Sequence, residues 1–193
     1  MNYSKYWSEE GAKKYGYDSY CQKLVKLVLK SKPKKVYDLA CGTGYPFIKS
    51  LLKKGIKVYG SDVSPRLVYE ARENYPKAKL KLGDYREIVE FSNAFDVSYC
   101  FRSSWYMEDL EKMIKELVRI TKPGGRVIFD VLNPSATKKE AKQIVKEMIF
   151  FWRNGDLKTY SHKVEEIMLV IINMGLKCKL HRIENKVVFE IWK

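Results

Sequence analysis

The sequence predicts an α/β protein: a seven-stranded, mostly parallel sheet with helices on both faces and an antiparallel hairpin at its C-terminal end. Three observations carry this expectation. Apolar runs of strand length alternate with segments whose apolar residues recur at helical spacing. Residues 36–44, Val-Tyr-Asp-Leu-Ala-Cys-Gly-Thr-Gly, join a buried strand to a glycine turn and a following helix. The last two strand-like segments, 177–183 and 186–192, are separated by Glu184 and Asn185 alone, which reads as a hairpin.

In chain order, residues 1–17 are aromatic and polar and include Tyr3, Tyr6, Trp7, Tyr15 and Tyr17. They read as an arm. Its aromatics either pack on the core or, through Tyr6 or Tyr15, close the pocket. Residues 18–31 predict a helix with Leu24, Val25, Leu27 and Val28 facing inward, stopped by Ser31-Lys32-Pro33. Val36, Leu39 and Ala40 form the first strand. Gly42 and Gly44 then permit a tight turn, and a helix begins at about Gly44. Glycine lacks a Cβ, so the backbone there can adopt left-handed angles and admit a ligand closely. The free amides of the new helix would face whatever lies above the strand. Phe47, Ile48, Leu51 and Leu52 continue that helix to Gly55.

Lys57 to Asp62 reads as the second strand. Ser64-Pro65 then starts a helix, with Ser at the N-cap and Pro in the first turn; Leu67, Val68 and Ala71 form its inner face. Leu80 to Asp84 is the third strand. Residues 94–101 are the fourth, running on into Arg102-Ser103-Ser104-Trp105-Tyr106. Leu110, Met113, Ile114, Leu117 and Val118 share one helical face. Lys122-Pro123-Gly124-Gly125 breaks that helix, and residues 126–131 form the fifth strand. Between 135 and 155, Ala141, Ile144, Val145, Met148, Ile149 and Trp152 share a helical face. It serves as core, as an oligomer contact or as a lid. Residues 163–174 form the last helix, closed by Gly175.

Two carboxylates mark the glycine turn as a candidate site. Asp38 lies inside a buried strand, where a charge is costly unless paired. Asp62 ends the second strand about twenty residues beyond the glycines, where a doubly wound sheet places an acid for both hydroxyls of a ribose. The dinucleotide fingerprint G-x-G-x-x-G fails, because Phe47 stands at the third glycine position. The expected ligand is therefore a nucleoside without a pyrophosphate. A tight turn with no ligand is the plain alternative for the glycine pair taken alone.

Val-Tyr-Asp-Leu-Ala-Cys-Gly-Thr-Gly followed by Val-Tyr-Gly-Ser-Asp-Val-Ser-Pro resembles the first two motifs of class I S-adenosylmethionine-dependent methyltransferases. The run of helix, Lys-Pro-Gly-Gly and strand is common in that family. The resemblance covers residues 35–133 well and the rest loosely. It implies a Rossmann-like fold and S-adenosylmethionine as cofactor, in one methyltransferase domain over 1–193. Residues 1–34 would be an N-terminal arm and helix, 35–133 the cofactor-binding core, and 134–193 substrate-side helices and the hairpin. The implied cofactor-binding residues are Asp38, Ala40, Cys41, Gly42, Thr43, Gly44, Asp62, Val63, Asp84, Tyr85 and Phe101. In the family an acid at the position of Asp84 accepts from the adenine amino group; a loop-starting cap is the plain alternative. Tyr6, Tyr15, Arg102, Ser103 and Trp105 are candidates for the acceptor side. Arg102 either anchors a substrate carboxylate or phosphate or pairs with an acid such as Glu108.

Methyl transfer from a sulfonium is an in-line displacement with a good leaving group, so proximity and orientation dominate. Neither a metal nor a covalent residue is needed, and the sequence shows no metal-ligand spacing. No general base stands out; His162, His181, Asp130 and Tyr106 are candidates by type. The Asn/Asp-Pro-Pro-Tyr signature of DNA amino-methyltransferases is absent from the sequence.

The chain has 193 residues, of which 46% are hydrophobic, enough for a sizeable core. It holds no apolar run of about twenty residues and no N-terminal apolar signal core, so the expectation is a cytoplasmic protein without a membrane span. Its four scattered cysteines read as free thiols. The net charge is +14, and 29 of the 37 cations are Lys. A Lys-rich surface is common in proteins from hot environments. Residues 1–35 carry 9 Lys/Arg against 3 Asp/Glu, and residues 134–193 carry 12 against 7, whereas 36–133 carry 16 against 13. The excess therefore lies in segments free to shape the substrate mouth, a field suited to an acidic substrate or RNA. A small-molecule acceptor is the first reading, favoured by the compact chain. RNA or protein methylation is the second. A nicotinamide oxidoreductase and a non-catalytic nucleoside-binding protein are the readings from other classes.

Overall fold

The computed structural model of the chain describes residues 8–132, 160–184 and 186–193. Seven strands among them form one sheet: β1 (Lys35–Leu39), β2 (Lys57–Asp62), β3 (Lys79–Leu82), β4 (Phe95–Cys100), β5 (Thr121–Leu132), β6 (Lys177–Ile183) and β7 (Lys186–Trp192). Their order across the sheet is β3-β2-β1-β4-β5-β7-β6. β1 to β5 pair in parallel. β7 inserts between β5 and β6 and runs antiparallel to both. The topology is Rossmann-like, with the antiparallel C-terminal hairpin that the sequence predicts.

Helices α1 (Glu9–Tyr15), α2 (Asp18–Leu29), α3 (Phe47–Leu52) and α4 (Pro65–Asn74) precede or link the first three strands. Helix α5 (Leu110–Ile120) leads into β5, and α6 (Val164–Asn173) into β6. Two cores result, one on each face. Leu24, Val28, Ile48, Leu51 and Val68 pack with β1 and β4 on one side. Met113, Ile114, Leu117, Ile167 and Ile171 pack with β5 and β7 on the other. Caps fix the helix starts. Ser64 accepts from the Leu67 N–H, with Pro65 in the first turn of α4, and Asp109 accepts from the Lys112 N–H at 2.8 Å.

The structure departs from the sequence reading in three places. Helix α1 lies inside the expected arm. Its signals are in the sequence: Ser8 caps Gly11, Glu9 and Glu10 fill the first turn, and left-handed Gly16 closes the end. Helix α3 starts at Phe47 rather than Gly44, after a cis Tyr45-Pro46 bond. The Lys-Pro-Gly-Gly run belongs to β5, where the register against β4 shifts between Phe95 and Val97. The expected helix over 141–152 lies outside the described residues. Among the described residues, no helix is long and apolar enough to cross a membrane.

Candidate active site

Ligands in open α/β sheets bind beyond the carboxyl ends of the strands, where the strand order reverses. Here β1 is flanked by β2 and β4, and a cleft opens at that point. Its loop is wound tightly. Ala40, Gly42 and Gly44 all have positive φ, at 59°, 54° and 81°. Ala40 is not a glycine, and such backbone strain collects at functional sites. Among the described residues nothing lies within 4 Å of where a Cβ on Gly42 would stand, and Gly42 lines the cleft. Gly44 differs: its Cβ would meet Tyr75 Cδ2 at 2.7 Å.

Asp62 fastens this loop from the neighbouring strand. It is 8% exposed, its Oδ2 accepts the Gly42 N–H at 2.9 Å and its Oδ1 accepts the Ser64 N–H at 2.9 Å. The Gly42 N–H is thus already donated to a carboxylate. A carboxylate has about four acceptor sites, so capacity toward the cleft remains. Burial raises the Asp62 carboxyl above its ordinary range, opposed by the amides of Ser64 and Gly42. Asp38 lies deeper and lines the same cleft. Among the described residues its Oδ2 has no hydrogen-bond partner. Burial pushes its carboxyl well above the usual range, countered in part by the nearby Tyr99 hydroxyl and reinforced by the charge of Asp62.

The opposite wall is the segment after β4. The Phe101 ring stacks on Tyr99 at 4.8 Å and meets Phe47 at 5.0 Å. Arg102 is 3% exposed, with φ 58°. Its backbone N–H donates to Asp130 Oδ1 at 2.7 Å, and its guanidinium lies 4.9 Å over the Tyr17 ring. Asp130, on β5, is fully buried and also accepts the Tyr20 hydroxyl at 2.5 Å, while the Ser104 hydroxyl donates to its carbonyl. Burial raises the Asp130 carboxyl; the Tyr20 and Arg102 donors oppose this. Asp130 therefore clamps the wall that Phe101, Arg102 and Ser103 present. Asp130→Ala would strand two buried donors at roughly 1–3 kcal/mol each. With roughly 2–4 °C per kcal/mol at this size, thermal denaturation should show a loss of about 4–24 °C.

Of the residues expected from the sequence, Asp38, Ala40, Cys41, Gly42, Thr43, Asp62, Phe101, Arg102 and Ser103 come together around the cleft. Tyr45 and Phe47 join them. The sequence reading assigned Phe47 to the core and passed over Tyr45. Tyr45 Oη donates to Asp18 Oδ1 at 3.4 Å, tying the loop to α2.

Other expected residues stand elsewhere. The space at Gly44 is taken by Tyr75 and Ile48. Val63 is 71% exposed and is not part of the cleft lining. Asp84 does not line the cleft. Arg86 holds its carboxylate at 2.7 Å and keeps it below the usual carboxylate range. Tyr85 beside it accepts from the Asp109 N–H at 3.2 Å. Trp105 is buried behind the wall, and its carbonyl accepts the Tyr160 N–H at 2.7 Å. Tyr6 and the side chain of Tyr15 lie outside the described residues. Neither histidine lines the cleft: His162 Nε2 is 2.9 Å from the Met107 carbonyl, and His181 Nε2 is 2.8 Å from Glu190 Oε2. Among the described residues, no group of His, Cys, Asp and Glu could hold a metal.

Comparison with known proteins agrees with this geometry. Residues 37–129 match the family model of a methyltransferase domain. The chain is 30% identical over 98 residues to a malonyl-[acyl-carrier protein] O-methyltransferase of Serratia marcescens, covering 51% of this chain and 38% of that protein. The chain thus spans well under two thirds of that relative's length. A crystal structure of a Pyrococcus horikoshii protein superposes with a TM-score of 0.74 at 20% identity, over 98% of this chain and 95% of that one. Magnesium protoporphyrin IX methyltransferase of Synechocystis, with S-adenosylhomocysteine bound, superposes at 0.68 and 18% identity, over 99% and 87%. The sheet order places the acid-fastened glycine loop beside a cleft at the carboxyl ends of the parallel strands. Residues 37–129, just under half of the chain, are thus similar to a methyltransferase domain, on a fold shared with these solved structures.

Proposed function

We propose that the protein transfers a methyl group from S-adenosylmethionine to a small-molecule acceptor. One observation carries this reading: a left-handed glycine loop faces two buried carboxylates, one of them with an oxygen unpartnered among the described residues. These features fit the cofactor. Asp62 would accept the ribose hydroxyls, Gly42 would let the ligand lie against backbone, and Asp38 Oδ2 would receive the cofactor's ammonium. Bound there, the cofactor supplies an electrophilic methyl on a good leaving group. The chain's part is to orient and to exclude water. The Phe47, Phe101 and Tyr99 rings form an apolar wall, and Asp130 holds the backbone of Arg102 at the acceptor side. Effective molarity from such positioning can lower a barrier by roughly 7–11 kcal/mol.

The test is release of S-adenosylhomocysteine from S-adenosylmethionine in the presence of a panel of phenols, thiols, amines and carboxylic acids. Turnover with at least one acceptor is expected. Tight cofactor binding with no turnover across the panel would instead favour a non-catalytic nucleoside-binding protein.

The raised Asp38 carboxyl gives a pH prediction. A ligand ammonium stabilises its ionised form, so binding expels a proton and affinity rises with pH through the raised value. Titrations of S-adenosylhomocysteine across pH should show this rise, and Asp38→Asn should flatten it. In the ligand-free chain the same shift favours folding at acid pH, and the contribution fades as pH climbs through the raised value.

A further inference from the structure

The other end of the sheet carries a feature that the cleft does not use. Three turns feed the amino ends of β1, β2 and β3: residues 30–35 (Lys-Ser-Lys-Pro-Lys-Lys), 53–57 (Lys-Lys-Gly-Ile-Lys) and 76–79 (Pro-Lys-Ala-Lys). Together they hold nine lysines and no Asp or Glu. The strands they enter are neighbours, and Lys35 stands beside Lys57 in the register. The first two turns are hydrogen-bonded together, Lys57 N–H to Lys34 carbonyl at 3.0 Å. All nine lysines are exposed except Lys35, which is half-buried. Two acids lie nearby: Glu73, exposed in the last turn of α4, and Asp96, which accepts the N–H groups of Lys34 and Lys35 at 2.8 Å each and pairs with Lys122 at 2.7 Å.

Helix ends do not account for this charge. α2, α3 and α4 end at these turns, and each helix C-terminus offers at most about half a negative charge. That is about −1.5 against nine cations. Two of the lysines are also held in place rather than freely solvated. Lys35 Nζ lies 4.5 Å over the Tyr59 ring and 4.4 Å over Phe95, and Lys79 Nζ lies 5.3 Å over Tyr59. These nine lysines sit at the end of the sheet opposite the cleft. β1 is five residues long, so the face stands roughly 17 Å from the glycine loop at about 3.3 Å per residue.

We propose that this face holds the sugar–phosphate backbone of a duplex nucleic acid without reading its sequence. Lys is a compact point charge suited to phosphates, whereas base edges call for Arg forks, and these turns have none. A duplex carries one charge per ~1.7 Å of axis, so its backbone offers many phosphates to a cluster of lysines. The turns expose no large apolar side chain for insertion into a bilayer. They also lack the Arg and most of the aromatic surface that protein interfaces favour. Bound there, the nucleic acid leaves the cleft open and tethers the protein; it need not be the methyl acceptor.

The experiment is fluorescence anisotropy with labelled 20-base-pair RNA and DNA duplexes between 50 and 200 mM KCl. A face variant changes Lys32, Lys34, Lys53, Lys54, Lys57 and Lys77 to Gln. A control variant changes Lys13, Lys23, Lys26, Lys112, Lys115 and Lys163 to Gln, with the same change in net charge. Melting temperatures confirm that both remain folded. For the wild-type chain, log affinity should fall against log salt with a slope of about −4 or steeper, at about −0.9 per phosphate contact. The face variant should lose at least about tenfold at 100 mM KCl and flatten the slope by about two or more, while the control stays within about threefold. Equal losses in both variants would overturn the proposal, since net charge alone would then explain binding. So would a wild-type chain that ignores both duplexes at 50 mM KCl, or that binds anionic phospholipid vesicles in their place. The titration of S-adenosylhomocysteine is independent of each of these outcomes.

Discussion

Replacing Asp62 with alanine should weaken S-adenosylhomocysteine binding by one to two orders of magnitude in a calorimetric titration. The carboxylate acts twice. It fastens the loop through the Gly42 and Ser64 amides, and it faces the cleft with spare acceptor capacity. Hydrogen bonds to a charged group are worth about 1.5–3 kcal/mol each, and tenfold in affinity is about 1.4 kcal/mol. Asp62→Asn separates the two roles. Its amide oxygen can still accept one loop amide, but its NH₂ opposes the other. Melting temperature measured beside affinity distinguishes a loosened loop from a lost ligand contact. Unchanged affinity in both variants would remove Asp62 from the ribose.

The second large effect divides the two loop glycines by what surrounds them. Gly42→Ala meets no atom of the described residues within 4 Å, so its folding cost is the left-handed backbone, roughly 1–2 kcal/mol. Its new methyl group stands toward the cleft, and ligand affinity should fall at least about tenfold. Gly44→Ala carries the same backbone cost at φ 81° and also drives its Cβ to 2.7–2.8 Å from the Tyr75 ring. Overpacking adds about 1–3 kcal/mol, for a total of about 2–5 kcal/mol. Gly44→Ala should therefore lose roughly 5–15 °C of melting temperature, and Gly42→Ala only a few degrees. The reverse order would mean that the bare side of the loop is at Gly44.

The sheet was legible because its central strands are buried on both faces and read as continuous apolar runs, as in residues 36–40 and 126–131. The hairpin was legible because Glu184-Asn185 leaves room for nothing but a turn. The first 17 residues were harder: α1 is seven residues long and mostly polar, so capping rather than periodicity announces it. The Lys-Pro-Gly-Gly run reads as a break because Pro and Gly usually end helices, and here the same residues form a bulge within β5.

At the site, the sequence placed Asp38, Asp62 and Gly42 through local spacing. It could not show that Asp84 answers to Arg86, two residues on, because which neighbour an exposed acid chooses depends on loop shape. The surroundings of Arg102 are set by Asp130, Tyr17 and Tyr20, partners 28 or more residues away that spacing does not connect. The lysine excess was visible in composition. Its gathering at one end of the sheet was not, because three turns far apart in sequence become neighbours only through the strand order.

The central claim is that the cleft beside Gly42 receives an adenosyl sulfonium or its demethylated product. A crystal structure grown with S-adenosylhomocysteine tests it most directly. The account predicts the ribose hydroxyls on Asp62, the ligand's backbone against Gly42 and its ammonium on Asp38. Ligand density elsewhere on the molecule, or a ribose that does not touch Asp62, would contradict it.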